Sequence, residues 1–156
     1  MPEQAPQEKR PSVLVVEDDD DLLQMLAESM RAEGLVARTA RNGVEALASL
    51  RENSDKPCLI VLDLMMPVMN GWELLDHLCV DESLSRIPVT VVTAAASPRV
   101  AEIHETGEPG CRTDCPTGPP GHGVHLLRKP FAMDMLLGLA RRYCRPHESP
   151  HPNENR

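Results

Sequence analysis

The sequence predicts an α/β domain in which a parallel β-sheet is covered by helices on both faces. Short aliphatic runs without polar alternation recur along the chain, as strands buried on both faces require. Between them, apolar residues return at helical spacing. A third observation is bulk: 156 residues, 41% of them hydrophobic, match one ordinary domain. Only Trp72, Phe131 and Tyr143 are aromatic, so the core must be built from aliphatic side chains.

Val13 to Val16 reads as the first buried strand. Leu22, Leu23, Met25, Leu26 and Met30 follow at helical spacing, and Gly34 ends that helix. Leu35 to Thr39 is the second strand, and Val44, Ala46, Leu47 and Leu50 mark the second helix. Cys58 to Leu62 is a third strand, apolar throughout, and Trp72, Leu74, Leu75 and Leu78 mark the third helix. Val89 to Val92 is the fourth strand. Ser97-Pro98 then reads as an N-cap followed by proline at the first helical position, opening a fourth helix to about His104. Val124 to Leu127 is the fifth strand and Phe131 to Tyr143 the fifth helix. Five strand–helix units in this alternation fit a doubly wound, flavodoxin-like sheet of order 2-1-3-4-5, whose ligands bind at the carboxyl ends of the strands. Residues 1–11 and 144–156 are polar and proline-bearing and read as disordered tails around a domain over 12–143.

The net charge of -8 weighs against nonspecific binding to nucleic acid or anionic membrane, which both favour a basic surface. No apolar run reaches the roughly eighteen residues of a membrane helix, and the polar N-terminus resembles neither signal nor anchor. The expectation is a cytoplasmic protein, with Cys58, Cys79, Cys111, Cys115 and Cys144 as reduced thiols.

The chemistry is concentrated after the strands. Strand 1 runs into Glu17 and Asp18 and then Asp19 to Asp21; strand 3 ends in Asp63, strand 4 in Thr93, and strand 5 in Arg128-Lys129-Pro130. In a doubly wound sheet these ends share one edge, so carboxylates, a hydroxyl and an ammonium converge there. Crowded carboxylates repel, and a hard divalent cation such as Mg²⁺, which takes oxygen ligands and bridges to phosphate, relieves that repulsion. A carboxylate nucleophile beside such a metal suits attack on a phosphoryl group. Asp19 to Asp21 read as an acidic helix N-terminus without a site role.

Over residues 12–143 the sequence resembles the receiver domains of two-component response regulators, of the single-domain, chemotaxis-regulator type. The matching text is VLVVEDD at 13–19, LIVLDLMMPVMNGWELL at 59–75, VTVVTA at 89–94 and KPF at 129–131. The resemblance implies that Asp63 is the phosphoacceptor and that Asp18 ligates Mg²⁺ directly, with Glu17 reaching it through water. It implies that Met65 offers the metal its backbone carbonyl. Thr93 and Lys129 would contact the phosphoryl group, Pro67 and Gly71 would shape the loop after strand 3, and Lys129–Pro130 would be cis. It further implies a sensor histidine kinase or histidine phosphotransfer protein as phosphodonor and a protein as downstream target. The expected module is a stand-alone phosphoacceptor that catalyses only its own phosphorylation and dephosphorylation.

Two features depart from the family pattern. Leu126, with His125 beside it, stands where many receivers carry an aromatic switch residue. Thr93 to Lys129 spans 36 positions, and the excess falls in Gly107 to Gly123, where nine of seventeen residues are Gly or Pro. Cys111, Cys115 and His122 there, with His125 in strand 5, are of zinc-ligand type, but the spacing is shorter than a finger's, and a metal-free loop is the expectation. Two other function classes stand beside the main one. A haloacid-dehalogenase-type phosphatase would want a second Asp where Met65 stands, and a receiver-shaped scaffold would need no phosphotransfer.

Overall fold

The computed structural model describes residues 9–95, Val100 and residues 124–144. Five strands, β1 (Ser12–Val16), β2 (Val36–Ala40), β3 (Leu59–Leu62), β4 (Val89–Thr93) and β5 (Val124–Arg128), form one sheet. Four described helices accompany them: α1 (Asp20–Ala32), α2 (Gly43–Glu52), α3 (Gly71–Val80) and α4 (Met133–Tyr143). The sheet is parallel in order β2-β1-β3-β4-β5, as the alternation of apolar runs and amphipathic segments predicts.

Period-2 alternation of side chains divides the core into two layers. Leu14, Val16, Ile60, Leu62, Val89 and Val91 face α2 and α3, packing on Leu47, Leu50, Leu74 and Leu78. Val13, Val15, Leu59, Val61, Val92 and Leu127 face α1 and α4, packing on Leu26, Met30 and Leu136. Both layers are aliphatic, with Trp72 and Phe131 at their margins.

Helix starts follow local chemistry. Asp19 caps α1 by accepting from the backbone N–H groups of Asp21 and Leu22. Asn42 and Asn70 cap α2 and α3 in the same way, through the N–H groups of Glu45 and Glu73. Of the expected helix at about 98–104 only Val100 is described, a helical residue buried in the α2/α3 layer. The segment Gly107–Gly123, with Cys111, Cys115 and His122, lies outside the described residues.

Two expectations change at the C-terminal end of the domain. Cys58 and Cys144 are joined in a disulfide across 86 residues, with Cα atoms 5.3 Å apart, and Cys79 is disulfide-bonded as well, so these three are not the reduced thiols expected. Cys144, placed by the sequence in the tail, is buried in the α1/α4 layer, because α4 delivers it against the start of β3. His125 faces the same layer, where its Nε2 shares a 2.5 Å hydrogen bond with the Tyr143 hydroxyl. Burial and then the nearby Arg142 charge lower its pKa, so the neutral ring is favoured.

Among the described residues no helix is long and apolar enough to cross a membrane.

Candidate functional site

The carboxyl edge of the sheet gathers the acidic residues that the sequence singles out. β1 and β3 are hydrogen-bonded neighbours, so the residues that follow them emerge side by side. The ladder continues one step beyond the strands: Glu17 N–H donates to the Ala40 carbonyl and Asp63 N–H to the Val16 carbonyl, each at 3.0 Å. These bonds fix the backbone on which both carboxylates are carried. Glu17 is 2% exposed and Asp63 6% exposed. Asp18 stays exposed, and one carboxylate oxygen from each of the three acids lies within 4.8 Å of the others.

Lys129 reaches the same point from the end of β5. Its Nζ is 3.0 Å from Glu17 Oε2 and 3.3 Å from Asp63 Oδ2, so one ammonium bridges two buried carboxylates. Its backbone is tied in as well, with Lys129 N–H donating to the Thr93 carbonyl at 3.0 Å, and the Lys129–Pro130 bond is cis as the resemblance implies. Burial opposes the charged form of Lys129, but the hydrogen bond to Glu17 and the two acidic charges outweigh it and hold its pKa above the ordinary value. Glu17 shows the cost of crowding. Burial first, then the Asp63 charge, push its pKa up to about 7 against the opposing hydrogen bond from Lys129.

The other candidates surround this cluster. Thr93 is fully buried at the end of β4, and its Oγ1 accepts a hydrogen bond from Ala95 N–H at 3.1 Å. Met65 N–H donates to Asp63 Oδ1 at 3.1 Å while the Met65 side chain is 63% exposed, so here the backbone meets the site and the thioether does not. Asp19 to Asp21 stay outside: Asp19 caps α1 and Asp20 pairs with Arg41 at 3.2 Å.

The loop after β3 is held by two glycines whose side of the backbone is occupied. A Cβ on Gly71 would lie 2.5 Å from the Asp63 carbonyl oxygen and 2.6 Å from the Leu64 Cα, so only glycine lets α3 start against the nucleophile's own backbone. Gly43 leaves space for Met69, whose carbonyl accepts from Gly43 N–H at 2.9 Å. Val68, between them, has φ 69° and is 80% exposed. A β-branched residue in the left-handed region is strained, and nothing in the apolar pattern marks it. The dipeptide Pro67-Val68 before Met69-Asn70-Gly71 signals a turn but not its hand. The bridging position of Lys129 was also not legible, because it depends on the approach of β5 to β1 across two intervening strands.

The doubly wound sheet and its acidic carboxyl edge agree with what the comparisons show. Residues 13–109 match the family described as the response regulator receiver domain, and the chain belongs to that family. It is 38% identical over 85 residues to the polar-differentiation response regulator DivK of Brucella anthropi, a match spanning 54% of this chain and 68% of that protein. It is 41% identical over 87 residues to the transcriptional regulatory protein PrrA of Mycobacterium tuberculosis, spanning 56% of this chain. The match spans 36% of PrrA, and 34% of the similar CpxR homolog of Haemophilus influenzae, so the chain corresponds to about a third of those regulators. Among solved structures, Vibrio cholerae CheY4 superposes with a TM-score of 0.66 at 25% identity, covering 86% of this chain and 99% of that one. Residues 13–109 thus form a receiver domain of the kind found in two-component response regulators, a signalling module.

Proposed function

We propose that this receiver takes a phosphoryl group onto Asp63 from a phosphohistidine and transmits the change by contact with a partner protein. One observation carries the reading: two buried carboxylates, Glu17 and Asp63, share the ammonium of Lys129 while Asp18 stands exposed beside them. Burying charge is expensive, and a fold accepts it where a reaction uses it. An Asp63 carboxylate oxygen attacks phosphorus, the phosphorus–nitrogen bond to the donor imidazole breaks, and an acyl phosphate forms. The chain carries out this transfer, and later hydrolysis of the acyl phosphate, on itself alone.

The donor set, hard oxygens on three acids, fits Mg²⁺. Asp18 and Asp63 would hold it directly, Glu17 through water and Met65 through its carbonyl. Bound there, the ion supplies neutralising charge between the carboxylates and the phosphoryl oxygens. Lys129 then gives its ammonium to a phosphoryl oxygen in place of the carboxylates it now bridges, and the Thr93 hydroxyl donates to another. The donor is a sensor histidine kinase or a histidine phosphotransfer protein.

Incubation with acetyl phosphate and Mg²⁺ followed by intact mass tests the proposal. One base-labile phosphoryl group is expected, absent from Asp63→Asn because an amide is no nucleophile near neutral pH. Labelling of Asp63→Asn as strong as wild type would overturn the assignment, and no labelling of the folded wild-type protein would favour a phosphorylation-independent scaffold.

A further inference from the structure

The amino edge of the sheet, opposite Asp63, carries a second concentration of charge with the other sign. A cleft of about 560 Å³ opens where the chain enters β1 and β2 and where α2 turns toward β3. Lys9, Arg10, Arg38 and Lys56 line it, with Asp55 as the one carboxylate among the lining residues. Four cations against one acid contrast sharply with a chain whose net charge is -8.

Three of the four cations have a partner within the protein. Lys9 pairs with the Asp55 carboxylate, and Arg38 Nη2 donates to the Asp55 carbonyl at 3.0 Å. Lys56 Nζ donates to the Leu50 and Asn53 carbonyls, which stand at the end of α2 where helix carbonyls lack partners. Arg10 makes no ion pair among the described residues. Each ammonium or guanidinium with a protein partner keeps further donors: Lys has three N–H groups and Arg five, of which these contacts use a part.

We propose that this cleft binds a small polyanion bearing linked phosphate groups. The cleft offers no aromatic side chain for stacking a base, so recognition would rest on the phosphate chain itself. Linked phosphates suit the arrangement because they present several charged acceptors a short distance apart, matching separate ammonium and guanidinium donors through charge-assisted hydrogen bonds. The residues involved are distinct from those at the carboxyl edge, so binding here stands or falls independently of phosphotransfer to Asp63.

Titration calorimetry of the full chain with tripolyphosphate, at low ionic strength and without divalent metal, tests this. One-to-one binding is expected, and Lys9→Gln/Arg10→Gln should weaken it about tenfold or more, the scale of a lost charge-assisted contact. Both side chains lie before β1 and outside the core, and circular dichroism checks that the variant keeps its fold. Asp63→Asn should bind as wild type does. Absence of binding at millimolar tripolyphosphate, equal binding by the double variant, or loss of binding in Asp63→Asn would each overturn the proposal. Citrate binding as tight as tripolyphosphate would refute the preference for phosphate and leave general charge pairing.

Discussion

The two edges of the sheet carry opposite charge under opposite conditions. At the carboxyl edge, Glu17 and Asp63 are buried and share Lys129. At the amino edge, Lys9 and Asp55 pair with side chains 73% and 46% exposed. Part of the difference in sign follows from the winding. Each parallel strand leads into a helix N-terminus, where acids are favoured, and each helix C-terminus returns to the amino edge, where bases are favoured. Asp19 on α1 and Lys56 at the end of α2 obey that rule. The helix dipole does not explain why Glu17 and Asp63 are buried together, since it gains most of what it can from exposed capping groups. The buried pair keeps a strained electrostatic arrangement at one edge, while the other edge is fastened by ordinary exposed pairs and the nearby Cys58–Cys144 bond.

The largest contrast should appear on reduction. Cys144→Ser should lose roughly 2–4 kcal/mol of stability, because the bond closes a long loop, whereas strong reductant opens this bond together with the one that Cys79 makes. Urea unfolding measures this. Phosphoryl labelling of the reduced, still folded protein should persist, since the disulfide joins the start of β3 to the end of α4 and not the strand ends that carry Asp63 and Lys129. Labelling that vanished on reduction while the fold remained would mean that the two edges are coupled.

Titration addresses the acidic edge. Glu17 holds its proton to about pH 7 in the folded protein but only to about 4.5 when unfolded. Between those values the folded state binds the extra proton. Its contribution is therefore fully present below pH 4.5 and is lost as pH rises to about 7. The loss should be on the order of 2–3 kcal/mol without added metal. Urea midpoints at pH 5 and 7.5 test it, and Glu17→Gln should flatten the difference. Lys129, with its pKa raised, contributes in a separate alkaline window, lost only as pH climbs past its ordinary range. An unchanged midpoint in wild type would show that the acidic cluster is relaxed and not strained.

Smaller effects follow from the loop that supports Asp63. Gly71→Ala should cost about 1–3 kcal/mol, since the added carbon meets backbone atoms of Asp63 and Leu64 that cannot rotate away. It should also slow labelling by displacing the nucleophile. Val68→Gly should stabilise by less, about 0.5–1 kcal/mol, as relief of the left-handed strain exceeds the added freedom of the unfolded chain. Thermal melts of the two variants should shift in opposite directions, and a shift in the same direction would break this account of the loop.

The sequence by itself determined the layered fold. Aliphatic runs such as Leu59 to Leu62 cannot stay in water, and their alternation with amphipathic helices leaves a doubly wound sheet as the economical burial. It also determined which residues would follow the strands, and hence that Glu17, Asp18 and Asp63 would converge, because a residue next to a buried strand inherits that strand's place in the sheet. Tertiary structure alone decided the rest. That Lys129 bridges two carboxylates depends on where β5 ends relative to β1, a distance no local pattern encodes. That Cys58 meets Cys144 depends on α4 crossing back to the start of β3, so spacing and cysteine count gave no sign of it. The positive φ of Val68 and the basic cleft, which segments far apart in the chain form at one edge, appear only in the folded molecule. Periodicity governs what is buried, because burial is a property of each residue, whereas pairing across elements is a property of two positions and appears only when the chain is folded.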